Sequence, residues 1–234
     1  VREHRMRTIG LIGGMIWQSS KIYYERINQL VADRRGGATS AQLIVNSLDF
    51  APIARMQSEG RWKEAGAVLA NAAQSLERAG ADVIAIGANT MHKVATQVMA
   101  SVRLPLIHIG DTLAAGLRAD ARSRPLLLGT RYTMEDPFMV DHLANKGIGA
   151  LAPDRTDREA LHAIIYDELI KGVVTDKSRD MVHAIIDRSA AREADSVIFG
   201  CTEIGMLFPS THAGLPGYDT LELHAEALVD FALA

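Results

Sequence analysis

A single cysteine, Cys201, serves the whole 234-residue chain. No internal disulfide framework is possible, and such cysteine usage agrees with a reducing, cytoplasmic setting. Charge of either sign is scarce in excess: the net charge of −3 gives no electrostatic reason to expect nucleic acid or an anionic membrane as partner. Apolar runs stay too short to span a bilayer. No histidine pair has metal-ligand spacing with a carboxylate nearby, so no metal is expected. GxSxG and phosphate-loop signatures are missing. The segment GLIGGM (10–15) has GxxGG spacing, not GxGxxG, and Asp49 comes later than a dinucleotide fingerprint requires. A nicotinamide cofactor is therefore not expected.

What is there describes an ordinary globular protein, 48% apolar and 23% charged. The length suits one large domain or two small ones. The opening VREHR is basic but leads into no signal-type apolar stretch, and Met6 is the expected natural start. Short apolar runs at 8–14, 41–48, 82–87, 104–109, 125–129, 147–151 and 196–200 read as strands. Helical periods at 18–35, 58–79, 156–171 and 176–193 lie between them. On the first of these helices Ile22, Ile27, Leu30 and Val31 share a face; on the second, Trp62, Ala65, Val68, Leu69, Ala72 and Leu76 do. This rhythm predicts βαβ units and mostly parallel sheet.

The chain also repeats itself. GLIGG (10–14) resembles LLLGT (126–130), ADVIAIGANT (81–90) resembles ADSVIFGCTE (194–203), and LPLIHIGDT (104–112) loosely resembles LPGYDT (215–220). Three matches in one order predict two related α/β halves. The polar RADARSRP (118–125) marks the expected break. The halves are then 1–117 and 118–218, with a C-terminal helix, 219–233, packing back on the first. Ligands of parallel sheets sit outside the carboxyl ends of the strands. The expected site, in a cleft between the halves, is lined by Gly13–Trp17, Ala88–His92, Thr130–Thr133 and Cys201–Glu203.

Two kinds of role are open for each of these residues. Cys201 is either a buried small hydrophobe or, if a helix begins beside it, a thiol whose pKa falls toward neutrality. Asn89–Thr90 and Thr202–Glu203 offer donors suited to a carboxylate, or plain helix caps. His92 is an acid/base or a core residue sharing a helical face with Ala95 and Met99.

The strand-end motifs IGLIGGMIW, SLDFAPIARMQ, GANTMHK, LLGTRYTME and VIFGCTEIG together resemble the aspartate/glutamate racemase superfamily, from about residue 8 to 228. Within it they are most similar to the racemases of aspartate and glutamate. The resemblance implies two pseudo-symmetric α/β domains, a site between them, homodimers, a small-molecule substrate and no pyridoxal phosphate or other cofactor. Two opposed acid/base residues then move a proton on and off the substrate Cα. Cys201 would be one of them. Ala88 stands at the partner position, where relatives carry cysteine or threonine. Asn89, Thr90 and Thr202 would bind the α-carboxylate, while Met15 and Gln57 line the pocket, with Thr130 and Glu203 also at the strand ends. Arg55, Arg131 and Lys171 are candidates for a distal carboxylate. Ile16 departs from the serine of relatives. Ala88 has three readings: an introduced substitution, proton transfer by water or another side chain, or a reaction needing one acid only. The resulting expectation is an amino-acid racemase. The alternatives are a single-cysteine decarboxylase or isomerase of the same superfamily, or a non-catalytic carboxylate-binding protein.

Overall fold

The computed structural model describes residues 5–234, so residues 1–4 of the expected upstream extension lie outside the described residues. Six strands and ten α-helices occur among the described residues: β1 (Ile9–Gly13), α1 (Trp17–Arg35), β2 (Leu43–Ser47), α2 (Phe50–Ser58), α3 (Trp62–Arg78), β3 (Val83–Ile86), α4 (Ala95–Met99), α5 (Ile109–Ala119), β4 (Pro125–Leu128), α6 (Arg131–Glu135), α7 (Pro137–Ala144), α8 (Arg155–Ala163), α9 (Asp176–Ala190), β5 (Ser196–Phe199), β6 (Gly217–Asp219) and α10 (Thr220–Leu233). The fold is α/β with two sheets of parallel strands. None of the described helices is long and apolar enough to cross a membrane.

The chain forms two compact units. One runs to His108 and takes in His224–Ala234; the other is Ile109–Leu223. The expected division at 117/118 lies near the end of α5, which belongs whole to the second unit. The reason is packing: Leu113 and Leu117 of α5 share a core cluster with Leu127, Met139, Ile198 and Tyr218.

In the first unit β1 lies between β2 and β3, with Leu11 opposite both Val45 and Ala85. A parallel bridge from Ile84 to Leu106 extends the sheet beyond β3. In the second unit β5 lies between β4 and β6, and a parallel bridge from Leu126 to Leu151 extends it beyond β4. The expected strands at 104–109 and 147–151 are thus single bridges. The strand order of the units corresponds: β1 with β4, β3 with β5, and the Leu106 segment with β6. Every residue of β1, β3, β4 and β5 is buried, as sheets covered on both faces require.

The helices obey their sequence with small revisions. The stripe on α3 buries Ala65, Leu69, Ala72 and Leu76 as expected. On α1 the buried face is Ser19, Ser20, Tyr23, Ile27, Leu30 and Val31, and Ile22 points to solvent. Asp49 caps α2 by accepting the Ala51 N–H at 3.1 Å, a capping position that accounts for an acidic residue there. The expected helix 156–171 is α8 followed by one π turn, Ile164–Glu168, and a short 3-10 turn.

The duplicated ADxx motif has a structural role at the amino ends of the strands. Asp82 Oδ2 accepts the Thr8 N–H at 2.7 Å, just before β1. Asp195 Oδ2 accepts the Ser123 and Arg124 N–H groups at 2.7 and 2.9 Å, just before β4. Each aspartate thereby clamps its strand to the neighbouring one. Burial alone would raise the Asp195 carboxyl, but the Ser123 N–H, the Ser196 hydroxyl and the Arg124 N–H outweigh it and hold the group below its ordinary value. Asp195→Ala is expected to lose about 1–2 kcal/mol of unfolding free energy at neutral pH, measured by urea denaturation. A carboxyl depressed in the folded state stabilises above its unfolded pKa, and that contribution is lost as pH falls through the folded value. Parent and variant stabilities should therefore converge in strong acid.

Candidate functional site

The second unit's site begins with a close approach. A Cβ on Gly200 would come within 2.6 Å of the Leu128 carbonyl, so glycine lets β5 run past the end of β4. The next residue, Cys201, is half-buried against the core cluster that holds Leu126, Phe199, Ile204 and Phe208. A five-residue 3-10 helix, Thr202–Met206, follows. Its second residue, Glu203, is buried and turns its carboxylate back. The Cys201 thiol donates to Glu203 Oε2 at 2.9 Å, and the Thr202 hydroxyl donates to the same oxygen at 2.8 Å.

That geometry reverses the expectation of an acidified thiol. Burial in dense protein is the largest cause, followed by the Glu203 charge and the hydrogen bond to its carboxylate. Together they push the Cys201 thiol well above its ordinary value, and only the Glu203 N–H opposes them. One short 3-10 turn does not outweigh a carboxylate at contact distance. Asp219 adds a further acid group. It caps α10 by accepting the Leu221 and Glu222 N–H groups at 2.8 and 3.3 Å. Its carboxyl is raised by burial first, against those N–H groups, and further by Glu222 and Glu203. Cys201 and Asp219 thus hold their protons in a poorly hydrated corner beside Glu203.

Beside this corner runs a ladder of rings, of which Tyr132 lies in the expected Thr130–Thr133 segment while His162 and Tyr166 lie outside every expected site segment. Tyr166, on the π turn, packs against the same core as Cys201. Its ring lies 4.5 Å from that of His162, which meets Tyr132 edge-on at 6.2 Å. The His162 Nδ1 accepts the Arg131 N–H at 3.3 Å, and the Arg131 guanidinium lies 5.6 Å from the Tyr132 ring. Burial, then the neighbouring Tyr132 and Cys201, push the Tyr166 hydroxyl up to about 12, so it stays a neutral donor. Its available signal was the i, i+4 spacing of His162 and Tyr166 on one helical face. Thr130 precedes α6, at the end of the strand next to β5, with its Oγ1 3.4 Å from Thr133 Oγ1.

In the first unit the position that corresponds to Cys201 is Ala88, whose methyl group has no reactive atom. Ala88 is half-buried against a core that includes Met15, Ile86 and Met91. Met15, Gln57 and Asn89 are buried, and Gln57 Nε2 donates to Met91 Sδ at 3.0 Å. Gly14 enables this end of the sheet: it has φ +86°, and a Cβ there would meet the Leu48 carbonyl at 2.1 Å. A 3-10 helix, Thr90–Val94, follows Asn89. Asn89 does not cap its helix through its side chain, and at the other strand end Cys201, not Thr202, holds the cap position, also without a side-chain cap. His92 is buried, as is Ala95, whereas Met99 is exposed. The structure therefore gathers Met15, Gln57, Ala88, Asn89 and Thr90 at one strand-end region and Thr130, Cys201, Thr202 and Glu203 at the other. Arg55, Arg131 and Lys171 are all exposed; of these, Arg131 alone joins the ring ladder.

Residues 12–228 match the family model described as Asp/Glu/Hydantoin racemase. A structure of a candidate Asp/Glu racemase from Yersinia pestis is 45% identical, with a TM-score of 0.92 over 98% of this chain and 100% of that one. An aspartate racemase homologue from Pyrococcus horikoshii OT3 is 31% identical, with a TM-score of 0.86 over 98% and 100%. The aspartate racemase of Picrophilus torridus, 19% identical, shares the fold at a TM-score of 0.77 over 97% and 94%. The chain belongs to the Asp/Glu/hydantoin racemase family.

The Cys201–Glu203 contact has a measurable consequence. Glu203→Gln removes the charge that raises the thiol, so the thiol pKa should fall. Each unit of that fall increases the thiolate fraction about tenfold below the pKa. Iodoacetamide alkylation of Cys201 at pH 8 should therefore be faster in the variant than in the parent. An unchanged or slower rate would show that the carboxylate does not control the thiol.

Proposed function

We propose that this family member is a cofactor-independent racemase of aspartate- or glutamate-type amino acids, with Cys201 as one acid/base. The observation that carries the reading is the thiol–carboxylate pair at the end of β5, 2.9 Å apart, in a chain of this family. An α-proton beside a carboxylate is weakly acidic, so the site must both accept the proton and hold the growing enediolate charge. Glu203 takes the Cys201 proton, and the thiolate then forms its S–H bond with the proton of Cα. The C–H electron pair moves into the carboxylate as an enediolate. Asn89, Thr90, Thr202 and adjacent backbone N–H groups are suited to that charge. Met15 and Gln57 are the candidates to contact substrate from the first unit, and Arg131, beside the Tyr132–His162–Tyr166 ladder, is the candidate for a distal carboxylate in the second.

Return of a proton to the opposite face requires a second acid. Ala88 occupies the position in the first unit that corresponds to Cys201, and a methyl group moves no proton. Proton return on that face then falls to water or another side chain, and racemisation should be slow relative to one-sided exchange. The work is that of a soluble small-molecule enzyme, proposed here as cytoplasmic and homodimeric.

Incubation with L- and D-aspartate and L- and D-glutamate in deuterated water tests the reading. Deuterium should enter Cα of at least one of them, detected by proton NMR, and Cys201→Ala should abolish that entry. No exchange with any of the four substrates would sink the proposal.

Ala88 specifically favours a second reading, a decarboxylase or isomerase that uses Cys201 alone to protonate an enediolate. Carbon dioxide release from a disubstituted malonate would support it, and tight binding of a dicarboxylate without turnover would mark a binding protein instead. Under the racemase reading, Ala88→Cys should raise conversion in both the L-to-D and D-to-L directions. Chiral chromatography showing unchanged rates both ways would refute the two-base arrangement.

A further inference from the structure

Beyond Gly87, whose N–H donates to the Ile12 carbonyl at 2.9 Å, the chain leaves the β3 ladder. The first carbonyl of the following turn, that of Ala88, lies 3.0 Å from Nδ1 of His92. A carbonyl only accepts, so the proton of this imidazole sits on Nδ1. His92 is 3% exposed, and its ring is enclosed by two others. His108 lies edge-on at 4.6 Å and His224 at 5.8 Å.

His224 has the opposite tautomer for the same reason. Its Nε2 lies 2.9 Å from the Ile107 carbonyl and must donate. Its Nδ1, 2.8 Å from the Tyr23 hydroxyl, is left to accept. Two neutral imidazoles therefore tie down two carbonyls, one after β3 and one in the segment that pairs beside it. Tyr23 of α1 and His224 of α10 brace them from behind.

We infer that His92 is a positioning residue: its Nδ1–H holds the Ala88 carbonyl and so sets the Ala88–Thr90 turn for an incoming α-carboxylate. The inference rests on the reading of Asn89 and Thr90 as carboxylate-binding residues. His92 acts through the backbone and touches no reacting atom. Its surroundings support permanent neutrality. Burial first, then the neighbouring His108 and His224 rings, lower its pKa well below the ordinary histidine value, against the pull of the Ala88 and Asn89 carbonyls. Burial takes His224 down to about 4, against the Ile107 carbonyl.

Two measurements on the full chain decide the matter. Nitrogen-15 NMR of labelled imidazoles between pH 5 and 8 should find His92 neutral and protonated on Nδ1 throughout. The Nε2–H tautomer, or titration near the ordinary histidine value, would overturn the inference whether or not the protein turns anything over. In the second, three variants are titrated calorimetrically with succinate and L-aspartate. The side-chain amide of His92→Asn places its N–H where Nδ1–H was, whereas that of His92→Gln places it where Nε2 was, and His92→Leu has none. His92→Asn should stay within about threefold of the parent affinity, and the other two should bind about tenfold more weakly, the loss expected for one buried hydrogen bond. Equal affinity for all three would overturn it. Should the parent bind neither compound, the carboxylate reading fails on its own. The positioning role is then judged by the tautomer and by amide exchange of residues 89–92, retained in His92→Asn and accelerated in His92→Leu; protection equal in both would overturn it. If His92→Leu or His92→Gln does not fold, the tautomer of the parent and the affinity of His92→Asn remain as tests.

Discussion

Parallel pairing is the constraint from which the rest of the molecule follows. Every ladder among the described residues runs parallel. Neighbouring strands therefore end on the same side: Ile12 stands opposite Ile86, and Leu128 opposite Phe199. Whatever follows those residues is brought together without any further device, which is how Thr130 comes to neighbour Cys201. Parallel strands also need long crossovers, here helices, and these cover both faces of the sheet. The clamp aspartates, Asp82 and Asp195, secure the opposite ends. A slip of one residue in either central strand would exchange its two faces and misdirect the strand-end side chains.

Much of this was legible because burial on both faces writes a strong signal. Runs such as VIAI and SVIF have no polar face to confuse the reading, and their repetition revealed the paired units. The weaker elements failed for the same physical reason. Segments 104–109 and 147–151 contribute one bridge each, so their apolar character reflects packing more than pairing. Strand β6, Gly-Tyr-Asp, is too short to show a pattern. Ile22 fits the helical period of α1 yet is exposed, because Ser19, Ser20 and Tyr23 occupy the buried arc. Helix α5, just ahead of the polar RADARSRP segment, packs its Leu113–Leu117 face into the unit that follows it.

The site residues show a sharper limit. Position could be read: a lone cysteine after an apolar strand and a glycine, matched by Ala88 in the other copy. Protonation could not. A helix start beside Cys201 argues for a thiolate, but the decisive group is the side chain two residues later, and only its rotamer brings Glu203 Oε2 to the sulfur. His92 was similarly undecided between chemistry and core. Burial alone would call it packing, but the Ala88 carbonyl on Nδ1 gives that buried ring a directional bond. Tyr166 stands at i+4 from His162, and that pair meets across the π turn; a lone aromatic in an amphipathic stretch reads equally well as core, so its spacing alone did not mark it.

Together, the asymmetry of the two strand ends and the protonation of Cys201 order the chemistry. A thiol kept above its ordinary pKa is prepared to give a proton; to accept one it must first pass its own to Glu203. Ala88 can do neither. Under the racemase proposal, the easiest event at the second unit is therefore protonation of a carbanion, and deprotonation carries the added cost of moving a proton onto Glu203. That cost falls once a substrate ammonium group enters the crowded acidic corner, since a cation there favours both the thiolate and the carboxylate. A positively charged amino group would then be more than a recognition element: it would supply the charge that makes Cys201 a base. A malonate lacking that group would meet Cys201 only as an acid. Under the proposal the same pair of residues would serve either reading, with the charge of the substrate deciding between them.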